Sequence, residues 1–393
     1  MLLDPGSINL NTGSFGPLPR CVFEAAHALR TRLAAQPTDF YIRQVPDLLW
    51  AARGRLAEYL NVPAARLLFT ANVSSGINLV AASLRLATPG EILLTDYEYG
   101  AMIWCWERAA IRQGLTLRMV PLPPMPRSPD ELTERIIGAI TPRTRLLFLS
   151  HVISANGLVL PVRAICREAR RLGVLTVVDA AHATAMLPVD VTAIEADFYA
   201  GNCHKWLLAP AGSGYLAMHP ACIDRVGPLH VSWGYHPPRR VRLDEPDGFG
   251  ATPRLRALEF EGTREIVPWL VTPVAIDFQR QLGPDAIRRR IAELAAYTRQ
   301  RLIGLCGLRL ATPAEPTLCG ALTAFEVPGQ VEPEALRQAL WQRYRIEIPV
   351  IERPDRLLIR VSTHFYNTHA EIDALATALA ECLPTLQRPG VAP

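Results

Sequence analysis

Apolar positions along the chain follow two alternating patterns. Residues 21–36 and 45–60 repeat apolar side chains at helical spacing and predict two amphipathic helices ahead of any strand. From RLLFT (66–70) onward, short apolar runs alternate with amphipathic stretches. The runs EILLTD (91–96), LRMVPL (117–122), TRLLFLS (144–150) and VLTVVDA (174–180) are largely continuous, which predicts strands buried on both faces. Between them, INLVAASLRL, residues 100–112, the segment SPDELTERIIGAI with Ser128 as its cap, and residues 161–172 predict helices. Two further short strands are expected at 197–201 and 213–219. Strands alternating with helices build a mostly parallel sheet covered by helices, an α/β fold class.

The texture changes after about residue 225. Residues 231–256 are rich in Pro, Gly and Arg and read as an irregular excursion. A long helical stretch covers about 265–304, followed by ALTAFEV, PEALRQALWQRYR, RLLIRVS and EIDALATALAECL, the pattern of a smaller α+β domain. The expected organisation is an N-terminal segment 1–20 joining the small domain, a large domain 21–264, and a small C-terminal domain 265–393.

Composition narrows the function classes. With 49% hydrophobic and 20% charged residues in 393, the chain is globular rather than disordered. A net charge of +4 without a Lys/Arg block gives no footprint for nucleic acid. No apolar run approaches about 18 residues, so no membrane span is expected. MLLDPGSINLN has no basic region followed by an apolar core, so no secretory signal is expected. The 8 cysteines are scattered without a CxxC pair; this fits reduced thiols and a cytoplasmic location, and argues against a disulfide frame or a metal site.

One count changes the picture more. Of the 41 Lys and Arg residues, Lys205 is the single lysine. Drift toward arginine explains the arginines but not the one survivor. Arginine stays protonated, whereas a lysine with a lowered pKa becomes a nucleophilic amine that condenses with an aldehyde. Ligands of open parallel sheets collect at the carboxyl ends of the strands. The segments to inspect are therefore Asn72–Gly76, Asp96–Gly100, Ser150–Gly157, Asp179–His182 and Asn202–Lys205.

The order strand–Asp in VLTVVDAAH, then strand–His–Lys in DFYAGNCHKW, resembles the class V aminotransferase family of fold-type I pyridoxal-phosphate enzymes. The resemblance implies pyridoxal 5'-phosphate as cofactor, Lys205 as the amine that condenses with it, and Asp179 as the partner of its ring nitrogen. That pairing meets a physical need, because the ring draws electrons only while its nitrogen stays protonated. FTANVSSGINLV is similar to the family's phosphate-binding turn, which implies that backbone N–H groups at Val73 and Ser74 and the Ser74 hydroxyl hold the phosphate. TDYEYGAM implies Tyr99 stacked on the ring, and LFLSHVISANG implies Ser154 near the phenolic oxygen. His182 falls beside the same oxygen, and His204 matches a phosphate ligand. EFEGTREIVPWL resembles the turn that reaches a neighbouring subunit's phosphate, so Gly262 and Thr263 imply a homodimer with shared active sites. RLLIRVSTHFYNTHAEID implies Arg360 as the fork for the substrate carboxylate.

Within the family, NLNTGSFGPLP, Tyr99 and Ser154 look most like the isopenicillin N epimerase-like branch, with the ergothioneine-pathway carbon–sulfur lyases also similar. Gly13 is expected near the substrate. The reading is an epimerase or racemase acting at the α carbon of an amino acid or amino-acid-derived substrate. The alternatives are a β-eliminating carbon–sulfur lyase or an aminotransferase, and, from another class, a catalytically silent binding protein. A persulfide-forming desulfurase is disfavoured, because IEIPVIERPDRLLIR, where that family places its cysteine, has none.

Overall fold

Seven strands build the central sheet of the computed structural model, which describes residues 1–236 and 245–386. After a short N-terminal strand β1 (Ile8–Asn9), these are β2 (Leu67–Thr70), β3 (Glu91–Thr95), β4 (Thr116–Val120), β5 (Thr144–Ser150), β6 (Leu175–Ala180), β7 (Phe198–Asn202) and β8 (Gly214–Met218). Their order is β2-β8-β7-β6-β5-β3-β4. β8 runs antiparallel to both its neighbours, and the other pairings are parallel. The continuous apolar runs serve two cores at once. Leu147, Leu149, Val178 and Tyr199 face one layer of helices, while Leu146, Phe148, Val177 and Phe198 face the other.

A second sheet follows, formed by β9 (Arg309–Leu310), β10 (Leu322–Val327), β12 (Val350–Arg353) and β13 (Arg356–Ser362), antiparallel in the order β12-β13-β10-β9. β11 (Ile346–Glu347) pairs in parallel with β1, and Asn11 bridges to Ser362. Leu10 shares a core with Leu294, Leu308, Phe325, Ile359 and Leu379. The chain then crosses to the large sheet, where the Gly16 N–H donates to the His204 carbonyl at 2.9 Å.

Three expected elements differ from the sequence reading. β4, expected to be buried on both faces, is an edge strand with Thr116 and Met119 exposed. The helix expected at INLVAASLRL begins earlier, at Val73, because Asn72 caps it: Asn72 Oδ1 accepts from the Ser75 N–H at 2.9 Å. The stretch 265–304 is three helices, Val267–Leu270, Thr272–Leu282 and Pro284–Leu302. Gly283, at φ +84°, ends the second, and Pro284, which lacks an N–H, opens the third. Of the excursion 231–256, Pro253 opens the helix Pro253–Glu259, and residues 237–244 lie outside the described residues.

One buried ion pair ties this excursion to the sheet. Arg53 holds Glu259 through two nitrogens, at 2.7 and 3.0 Å, with both side chains almost fully buried. Arg53 also donates to the Leu67 carbonyl at 2.7 Å, and Glu259 accepts from the Phe69 N–H at 2.8 Å. Arg53→Met would strand a buried carboxylate. It is expected to lower stability by ~3–5 kcal/mol in equilibrium urea unfolding; a loss below ~1 kcal/mol would show the pair to be near neutral.

Candidate active site

The carboxyl ends of β5, β6 and β7 stand side by side, with Ser150 in register with Asp179 and Asp179 with Ala200. Loops leaving these ends, the helix start at Val73, the N-terminal turn and β13 enclose a cavity of about 340 Å³. Its lining includes Gly13, Val73, Ser74, Tyr99, Ser154, Asp179, His182, His204, Lys205 and Arg360. Every residue singled out from sequence is thus gathered there except Gly262 and Thr263. Those two line a separate cavity of about 250 Å³ beside Tyr41, Phe249 and Trp269, so this chain does not bring them to its own Lys205.

Lys205 sits in the loop after β7 with its Nζ 3.5 Å from His182 Nε2. Burial, followed by the Arg360 guanidinium, pulls its ammonium down to about 8, against the opposing pull of Asp179. Asp179 is the penultimate residue of the buried strand β6 and accepts from the Ala181 N–H at 2.9 Å. Burial pushes its carboxyl up to about 6, although the Ala181 N–H and Lys205 both favour the anion. A buried carboxylate with so few donors suits a cationic ligand group. His182 is held well below the usual imidazole range, first by burial and then by Lys205 and Arg360.

The helix start offers fewer free donors than its sequence suggested. Val73 N–H donates to Asn202 Oδ1 at 3.0 Å, and Ser75 N–H is taken by Asn72. This leaves the Ser74 N–H and hydroxyl to face an anion at the positive helix end. His204 shares a hydrogen bond of 3.1 Å between its Nδ1 and the Ser213 carbonyl. A carbonyl only accepts, so Nδ1 carries the proton and neutral His204 keeps a lone pair on Nε2. Burial lowers its pKa, partly offset by that bond.

Arg360, on β13, is fully buried and lowered to about 10 by burial, so it stays cationic at neutral pH. Its Nη1 donates to the carbonyl and hydroxyl oxygens of Ser154 at 2.7 and 3.0 Å. Its Nη2 reaches Ser14 Oγ at 3.3 Å and Asn11 Oδ1 at 3.4 Å. Ser154 Oγ accepts from the arginine, and its own hydroxyl proton stays available to a further acceptor. Gly13 is needed beside it: an added Cβ would lie 2.7 Å from Ser362 Oγ, 2.9 Å from Leu322 Cδ2 and 3.1 Å from Arg360 Nη2.

Sequence reasoning passed over Asn72, Asn202, Ser14 and Glu98. Asn72, Asn202 and Glu98 lay inside the inspected segments, and Ser14 in the N-terminal turn NLNTGSFGPLP. Glu98 precedes Tyr99 and is buried. It accepts from Thr95 Oγ1 at 2.7 Å and from both Ser150 N–H and Ser150 Oγ, bracing the strand end next to Asp179. Burial, with a smaller push from Asp179, raises it to about 7 against these donors.

Likeness to known proteins agrees with this geometry. The family model for aminotransferase class-V matches residues 15–375. The chain is 54% identical to the isopenicillin N epimerase of Amycolatopsis lactamdurans over 96% of both chains. It is 51% identical to that of Streptomyces clavuligerus over the same share. Among solved structures, the cystine C–S lyase C-DES in complex with cysteine persulfide superposes with a TM-score of 0.84 at 27% identity, covering 96% of this chain and 98% of that one. A match across nearly the whole chain, on a sheet whose strand ends gather Asp179, His204 and Lys205 around one cavity, makes this chain a member of the class-V aminotransferase family.

Proposed function

We propose that the chain is an isopenicillin N epimerase, inverting the α carbon of an amino-acid-derived substrate. The observation that carries this is its identity of more than half, over 96% of both chains, with two epimerases. The cofactor is pyridoxal 5'-phosphate, as the family and its structural neighbours indicate. The cavity fits it: an amine easily deprotonated, a buried carboxyl short of donors, and a helix start with an unused N–H.

Pyridoxal phosphate, when bound, supplies a sink for the electron pair left as Cα–H breaks. The remaining steps belong to the chain's own side chains. Arg360, braced by Ser154, Ser14 and Asn11, would take the substrate carboxylate and so fix which bond to Cα faces Lys205. Lys205 Nζ, neutral above about pH 8, would remove the proton. Asp179 would hold the proton on the ring nitrogen. Ser74 and His204 would hold the phosphate. Tyr99, half exposed at 53%, lines the cavity where a ring would stack. Of the 8 cysteines none lines this cavity, and burial raises the Cys203 thiol far above the usual range, which favours epimerisation over persulfide chemistry.

The test is incubation with isopenicillin N in heavy water. Deuterium should enter the inverted centre with the amino group retained, read by chiral chromatography and mass spectrometry. Accumulating 2-oxo acid and ammonia would mark a lyase instead, and transfer of the amino group to an acceptor an aminotransferase. Arg360→Lys keeps the charge but loses the fork. It is expected to cost ~2 kcal/mol, about a 30-fold rise in KM, with cofactor content unchanged; parallel loss of cofactor would contradict its assignment to the substrate.

His204 makes cofactor retention depend on pH. It can donate to phosphate only by gaining a proton on Nε2, so bound phosphate raises its pKa. Its contribution to affinity is full below the free-protein pKa and is lost as pH rises through the higher value of the loaded protein. His204→Gln is expected to flatten that fall, measured as cofactor dissociation constants across pH; an unchanged profile would remove His204 from the phosphate.

The same reading carries a homodimer in which Gly262 and Thr263 complete the partner's cavity, supported by their lining an apolar cavity separate from the one that holds their own Lys205. Light scattering should give twice the chain mass. It also carries the division into 1–20 with 265–393 against 21–264, supported by Leu10 sharing its core with Phe325 and Leu379. Free thiols at all eight cysteines support a cytoplasmic location.

A further inference from the structure

We propose that Trp206 is a positioning residue: its indole N–H fixes the single ring proton of His182 on Nε2, and this favours the neutral, reactive form of the Lys205 amine over the ammonium. Trp206 follows Lys205 directly and is fully buried. Its Nε1 lies 3.4 Å from His182 Nδ1. An indole nitrogen only donates, so Nδ1 must accept and cannot carry a proton. Burial, and after it the Lys205 ammonium where that is protonated and the Arg360 guanidinium, disfavour a charge on the ring, so His182 stays neutral. Its one proton is therefore on Nε2, the atom 3.5 Å from Lys205 Nζ.

The direction of that bond matters. An Nε2–H donates to the lone pair of a neutral amine and has nothing to offer an ammonium. Were the proton on Nδ1, the Nε2 lone pair would accept from the ammonium and stabilise it. Trp206 is itself held in place from two sides. Its carbonyl accepts from Gln279 Nε2 at 2.7 Å and from His364 Nε2 at 3.0 Å, and the His364 ring stacks on the indole at 5.8 Å between centroids. The N–H is thus aimed by a second histidine whose own proton is fixed, since the Phe365 N–H donates to His364 Nδ1 at 2.8 Å.

The catalytic consequence rests on Lys205 being the amine that meets the cofactor; the proton's position does not. Both are read in the cofactor-free protein. Histidine labelled with nitrogen-15 reports the tautomer, with the His182 signals identified by their loss in His182→Gln. Lysine labelled with carbon-13 at Cε gives one resonance from the whole chain, because Lys205 is its only lysine. The expected result is Nε2–H on His182 and a Lys205 midpoint near 8 in the wild-type chain. In Trp206→Phe the tautomer should shift toward Nδ1–H and the Lys205 midpoint rise by ~1 pH unit, the worth of one hydrogen bond changing sides. A wild-type His182 protonated on Nδ1 would overturn the proposal, and this measurement decides even if Trp206→Phe fails to fold. So would a folded Trp206→Phe that loses stability but keeps both readings, which would leave Trp206 a packing role only. Failure of the cofactor reading would look different: no uptake of pyridoxal phosphate, with the tautomer as expected.

Discussion

Lys205→Arg is expected to lower turnover by about 10,000-fold, the upper range for loss of a positioned proton-transfer group, and to abolish covalent attachment of the cofactor. Arginine is the sharpest replacement because the chain uses it for every other basic position. It keeps the positive charge beside Asp179 and much of the volume, and removes only the ability to become a neutral primary amine. Borohydride treatment of the wild-type protein loaded with pyridoxal phosphate should attach the cofactor to a single peptide, the one containing Lys205. The variant should show no attachment, although the phosphate and ring sites still bind the cofactor reversibly. Added small amines are expected to restore part of the activity, since they supply the missing lone pair without the chain. Retained activity above about a hundredth of the wild-type rate would show that proton removal is carried elsewhere in the cavity.

The parts of this site that were legible in sequence share a cause. In an α/β sheet, polar residues at the carboxyl ends of buried strands have no core to enter, so Asp179 near the end of β6 and His204–Lys205 after β7 announce themselves by breaking apolar runs. Glu98 was not legible in the same way. A glutamate among TDYEYG looks like a solvated surface carboxylate, and only the strand register that places Ser150 next to Asp179 reveals that Glu98 is buried and braces them. Arg360 was found by its motif, but its grip on Ser154 and on Ser14 and Asn11 joins three segments far apart in the chain, which no local pattern encodes. The break at Gly283–Pro284 was visible as a dipeptide yet lost under the helical period on either side of it. Val73 was assigned an anion through its place at a helix start; Asn202, 129 positions away, takes that N–H instead.

Asp179→Asn sets function against stability. In the cofactor-free protein the Asp179 carboxyl rises from 3.8 to about 6, chiefly through burial, which corresponds to ~3 kcal/mol of destabilisation once it ionises. The sign is fixed by the direction of the shift: with the folded value above the unfolded one, the folded state is favoured at low pH and loses that advantage as pH rises through about 6. Asparagine is neutral and can still accept from the Ala181 N–H, so the cofactor-free variant should be more stable than wild type by up to ~3 kcal/mol at pH 8, with the difference vanishing below about pH 4. Urea unfolding at several pH values measures this. Catalysis should move the other way. An uncharged amide does not hold a proton on the ring nitrogen, so turnover is expected to fall by about 100- to 1,000-fold while Lys205 still condenses with the cofactor. A variant that gained stability and kept its rate would mean that Asp179 is merely a buried turn acid. One that lost both would mean that the carboxylate is paired with a cation of the chain and needs no ligand to balance it.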